Sequence, residues 1–103
     1  MTDVDEASQR RSALNEALFR SINEQVVRLE ERFGSRDGGF VCECADATCS
    51  QTIFLSLEEY GRIHAVERRF FVVPGHEVTE IETVVERHAT YLIVEKNVPV
   101  REL

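Results

Sequence analysis

Phe40-Val41-Cys42-Glu43-Cys44-Ala45-Asp46-Ala47-Thr48-Cys49-Ser50-Gln51-Thr52-Ile53-Phe54-Leu55 carries all three cysteines of a 103-residue chain, packed into eight positions. The stretch reads as two short strands, Phe40–Cys44 and Gln51–Leu55, joined by a polar loop whose far side holds Cys49. Alternate residues of a strand share a face, so Cys42 and Cys44 present both sulfurs to one side, and the loop lets Cys49 fold back toward them. Three thiols so close fit one tetrahedral ion, for which three cysteines and a histidine are a common structural set. Cysteine as small apolar filling is the plainer alternative. Placement beside Glu43 and Asp46 argues against filling, and those two acids should raise the thiol pKa values.

Three histidines compete for the fourth position. His76 follows Pro74-Gly75, at a turn able to aim it back over a sheet end, and is the choice. His88 is the alternative, on the apolar side of a predicted helix. His64 follows Ile63 on another helix and is expected at the surface, where His64→Ala should be nearly silent. Glu77 and Asp46 are the expected acceptors for a ligand imidazole. The metal set is therefore Cys42, Cys44, Cys49 and His76, with Zn2+ as the ion.

Outward from this stretch, the chain reads as one α+β domain in the order α, β, β, α, β, α, β. Residues 1–7 read as a disordered acidic lead and 97–103 as a tail. Between them a helix is predicted over 8–33, followed by a ββαβαβ zinc-stabilised domain over 40–96 with a four-stranded sheet. Leu14, Leu18, Ile22, Val26, Leu29 and Phe33 recur every three or four residues, widened by Ala17, Phe19 and Val27. This stripe should cover the chain's own sheet, or its excess length should pair with a second copy or another protein. Gly34 is placed to cap the helix, with Gly38-Gly39 as a turn beyond. Ser56-Leu57-Glu58-Glu59 opens a second helix as a capping box that fades near 64–67. Phe70–Val73 is a buried-type strand stopped by Pro74-Gly75. Thr79-Glu80-Ile81-Glu82 looks like a second capping box, with Ile81, Val84, Val85 and His88 at helical spacing. Tyr91–Glu95 is the last strand.

Charge narrows the function. Twelve basic residues stand against 19 acidic, a net of −7, which repels phosphate backbones and anionic lipid, so neither nucleic acid nor membrane is an expected partner. No apolar run approaches the ~20 residues of a membrane span. The start Met1-Thr2-Asp3-Val4-Asp5-Glu6 is unlike a signal peptide. A cytoplasmic setting follows, where clustered cysteines bind metal more often than they pair. Neither a zinc-hydrolase histidine pair nor a phosphate loop nor a nucleophile elbow appears, so an enzyme is not expected. A thiol-based redox sensor on Cys42, Cys44 and Cys49 is the second reading, with or without zinc release; a zinc hydrolase is the third.

The segments Phe40–Cys44 through Cys49, Ser56–Tyr60, Phe71-Val72-Val73-Pro74-Gly75-His76-Glu77 and Val84–His88 together resemble small uncharacterised proteins of high-GC Gram-positive bacteria (actinobacteria). The likeness spans about residues 14–96 and rests on a C-x-C-x4-C cluster and a PGHE segment. It implies no activity, but implies that Cys42, Cys44, Cys49 and His76 act as one unit. Where that family tends to place Asp-Gly before the last strand, this chain has Ala89-Thr90. The reading is a zinc-stabilised protein-interaction or regulatory module.

Overall fold

A computed structural model describes residues 6–46 and 48–97. It contains helix α1 (Glu6–Arg32), strands β1 (Asp37–Val41) and β2 (Thr52–Ser56), helix α2 (Leu57–His64), and strands β3 (Arg69–Val72), β4 (Glu82–Arg87) and β5 (Leu92–Lys96). The fold is a small α+β domain, but the strands form two antiparallel sheets rather than the expected single sheet of four. One is the hairpin β1-β2 and the other has the order β3-β5-β4. The split falls at the cysteines. The Cys42 amide still donates across the hairpin to Gln51 O at 2.9 Å, and the next amide, that of Glu43, donates instead to Phe71 O on β3 at 2.9 Å. Cys42–Cys44 thus bridges the two sheets.

The predicted helix over Ile81–His88 is instead strand β4. Its start is helix-like, with the Ile81 and Glu82 amides both reaching Val78 O at 3.1 Å. Val78, not Thr79, donates its amide to the Glu82 carboxylate. Beyond Glu82 the β-branched residues Thr83, Val84 and Val85 disfavour a helix, and pairing with β5 prevails. Val84 lies against Val94, while a bulge at Val85 brings Glu86 opposite Ile93. Helical spacing of three apolar residues and a histidine cannot exclude a bulged strand.

Other elements follow the pattern closely. Ser56 Oγ accepts the Glu59 amide at 3.0 Å, capping α2. Gly34, at φ 75°, ends α1, with the Ser35 amide reaching Glu30 O and the Gly34 amide reaching Glu31 O in a Schellman arrangement. Residues 6 and 7, expected in the lead, already belong to α1; residues 1–5 and 98–103 lie outside the described part. Gly38 and Gly39 are not a turn but lie in β1. A Cβ on Gly38 would come 3.3 Å from Val26 Cγ1 and 3.1 Å from the Phe40 ring, so glycine permits the close approach of α1.

Phe40, Ile53, Leu55, Tyr60, Ile63, Phe70, Phe71, Val72, Leu92, Ile93 and Val94 form the core between the sheets and the helices. Phe40 stacks on Tyr60 at 4.7 Å and meets Phe71 edge-on. Helix α1 is fastened to this core by polar side chains as well as by Phe19. Asn23 exchanges two 2.8 Å hydrogen bonds with the Val41 backbone, closing the end of β1. Arg20 lies over the Phe70 ring and donates to Glu67 O and Arg69 O. The buried Lys96 Nζ sits 2.8 Å from Glu16 and 3.3 Å from Glu82, both also buried.

The apolar stripe of α1 points the other way. Leu14, Leu18, Ile22, Leu29 and Phe33 are exposed, against the expectation that they cover the sheet. No helix among the described residues is long and apolar enough to cross a membrane.

Candidate metal centre

Three pieces of chain supply the site. The extended segment Cys42–Cys44 buries two sulfurs on one side. A tight turn, with the Cys49 amide on Asp46 O at 3.0 Å, returns the third. After β3, the Pro74-Gly75 turn is closed by the His76 amide on Val73 O at 2.9 Å, with Gly75 at φ 97°, and it swings the imidazole over the sulfurs. One ligand atom from each of Cys42, Cys44, Cys49 and His76 lies within 4.8 Å of all the others.

His76 Nδ1 is 3.7 Å from Cys42 Sγ and 3.6 Å from Cys49 Sγ. A tetrahedral ion with ~2.3 Å bonds to sulfur and ~2.0 Å to nitrogen sets such neighbours about 3.5 Å apart. The donor set and its spacing therefore suit a metal ion. The Val73 amide donates to Cys42 Sγ at 3.2 Å, a contact that favours thiolate sulfur. Without an ion, the sulfurs perturb one another: contact with Cys42 draws the Cys44 thiol well below its ordinary range, and the reciprocal contact with Cys44 pushes Cys42 well above it. Burial raises Cys49. A cation in their midst removes this competition by accepting all three thiolates.

The other two histidines are elsewhere. His88 stacks on Tyr91 at 4.4 Å and meets Glu86 at 2.9 Å, at the exposed end of β4. His64 is not a surface residue: its side chain is nearly buried, and Nε2 donates to the Glu43 carboxylate at 2.9 Å. Glu43, wholly buried, also accepts from Asn23 Nδ2 at 3.1 Å and from the Phe71 amide at 3.3 Å. Strand-like alternation thus sends Glu43 to the side opposite the sulfurs, where it is a structural acceptor and not a thiol neighbour. Glu77 and Asp46 do not hold the His76 ring either. Glu77 accepts the Gly75 amide at 2.7 Å and Asp46 caps Thr48. The group beside His76 Nε2 is the Gln51 amide, at 3.3 Å. Rotated to present its oxygen, that amide would accept the Nε2 proton and leave Nδ1 free to ligate.

Sequence reasoning missed the His64–Glu43 contact. Two signals pointed to it: a lone acid inside the otherwise apolar Phe40–Cys44 run, and His64 one turn after Tyr60 on the inward face of α2. Comparison with family models, curated proteins and solved structures yields no match for this chain.

Proposed function

We propose that this chain is a zinc-stabilised module in which Cys42, Cys44, Cys49 and His76 hold one structural Zn2+, serving protein interaction or regulation. The observation that carries this reading is the convergence of four soft and borderline ligand atoms from three separate turns and extended segments within 4.8 Å. Three thiolates and one imidazole favour zinc over the hard cations, which take oxygen. Four protein ligands complete a tetrahedron, so the ion acts by holding the segments together rather than by activating water. A reducing, cytoplasmic setting would keep the thiols available, and the resemblance to the small actinobacterial proteins fits the same four-residue unit.

The test is native mass spectrometry with metal analysis on protein purified without chelator. One zinc per chain, lost with folded structure on chelation, is the expected result; folded, metal-free protein would overturn it. A second reading rests on the half-buried Cys49 beside two buried sulfurs. Peroxide could take two electrons from a pair of thiolates, forming a disulfide and releasing the ion while the peroxide is reduced to water. An intact-mass loss of about two daltons with the fold retained would support that reading.

A further inference from the structure

Helix α1 is built inside out. Its domain-facing side carries Glu16, Arg20 and Asn23 beside Phe19, whereas its outer side presents Leu14, Leu18, Ile22, Leu29 and Phe33, exposed by 39–74%. These five expose on the order of 500 Å² of side chain, near the top of what a monomer's largest apolar patch shows. Two such faces brought together would reach the ~1,000 Å² that a specific interface needs.

The order of residues says what covers the stripe. Leu14 stands as far before the midpoint between Asn23 and Glu24 as Phe33 stands after it. The same holds for Leu18 and Leu29, and for Ile22 and Gln25. A stripe with this mirror order is self-complementary about a two-fold axis. We infer that α1 packs antiparallel against α1 of a second copy, in layers of Leu14 on Phe33, Leu18 on Leu29, and Ile22 on Gln25.

The flank agrees with this pairing. In an antiparallel pair the same flank of each helix meets its counterpart, so Arg28 faces the gap between Ala17 and Ser21 of the second copy. Those small residues leave room for its stem, with Glu24 of that copy about five residues further along. Near the axis the two Gln25 side chains form the polar interruption of an apolar seam, which penalises slipped registers. The helix is long enough to carry this contact: its 27 residues extend ~40 Å, along a molecule whose longest dimension is 49 Å.

Sedimentation equilibrium on the full, metal-loaded chain tests the proposal. The wild type should sediment at twice its 11.8 kDa. Leu18→Lys should weaken association by roughly a hundredfold, because it sets an unpaired charge against Leu29 twice. Adding Leu29→Glu on the same chain should restore the dimer, since each lysine then faces a glutamate only in the antiparallel register. Both positions are exposed and both replacements are good helix formers, so circular dichroism should be unchanged. A monomeric wild type, even one that captures a different protein, would overturn the inference. So would a dimeric Leu18→Lys variant, or a double variant that stays monomeric.

Discussion

The three residues Cys42-Glu43-Cys44 have two sides, and each side buries polar chemistry in a different way. On one, two sulfurs join Cys49 and His76 around a space that suits an ion. On the other, Glu43 is surrounded by donors the chain itself provides: Asn23, the Phe71 amide and His64. Buried polar groups must find partners or cost free energy. The Glu43 carboxylate is partnered as folded, with only the far His64 Nδ1 left unpaired, whereas the sulfur side has the donor set that a metal would complete. The two sides should therefore respond differently to chelator, and mutations on each should be distinguishable.

The largest effect belongs to the sulfur side. Cys44→Ser should abolish stoichiometric zinc binding and collapse the thermal transition toward that of chelated wild type, since structural zinc supplies on the order of 10 kcal/mol in small domains. Calorimetry with and without chelator checks this: wild type should shift strongly, Cys44→Ser hardly at all. Equal chelator sensitivity of the two proteins would break the distinction between the sides.

The carboxylate side comes next. His64→Ala removes one of three donors to a fully buried carboxylate and should cost about 1–3 kcal/mol in urea unfolding. Glu43→Ala strands three donors at once and should cost more, about 3–5 kcal/mol. The two losses should not add, because they share one contact; a coupling near zero in the double-mutant cycle would show that the His64–Glu43 contact is not formed. Zinc stoichiometry should stay at one in all three variants. Loss of metal from His64→Ala would merge the two sides into one unit.

How much of this was legible in sequence depends on whether the signal was local. The caps at Ser56 and Gly34 depend on neighbours within a few residues, and both were readable. The sulfur cluster was readable because strand alternation is a property of three consecutive residues. The His76 position followed from a turn. The fate of residues 81–88 was decided by β5, a distant partner, and the helical spacing of Ile81, Val84 and Val85 gave no hint of it beyond their β-branching. Likewise the stripe on α1 was legible, but not its direction. Glu16, Arg20 and Asn23 turned inward because Lys96, the Phe70 ring and Val41 supply them with partners, and those partners lie far along the chain.

A third buried polar group, between the two sides in completeness, predicts a pH effect. Glu16 meets Lys96 without well-aligned hydrogen bonds, and burial outweighs the ammonium, raising the Glu16 carboxyl from 4.5 to about 8. A group raised on folding holds its proton more tightly when folded. Its stabilising contribution is intact below about 4.5 and is lost as pH climbs to about 8. Glu16→Gln removes that dependence, so its stability relative to wild type should rise by roughly 3 kcal/mol from pH 5 to pH 8. The cysteine–histidine cluster is the same in both proteins, so its own pH dependence cancels in the difference. A difference that stays flat over this range would mean that Glu16 is held as a carboxylate by Lys96.

The smallest effect is expected where partners are plentiful but water is too. Arg62 donates to both oxygens of Glu59 and of Glu86 at 2.7–2.8 Å, and Tyr91 and His88 contact the same two acids. By count of contacts this is the richest ionic network described in the molecule, and the Arg62 guanidinium holds Glu86 down to about 2. Yet Arg62 is 46% exposed, so solvent already satisfies these charges and salt screens them. Arg62→Ala should therefore shift the urea midpoint less than His64→Ala does, and the residual shift should shrink further in high salt. The single 2.9 Å contact of His64 should outweigh the four of Arg62, because only the former is removed from water. The reverse ranking would show that, in this domain, partner number and not burial sets the strength of an ionic contact.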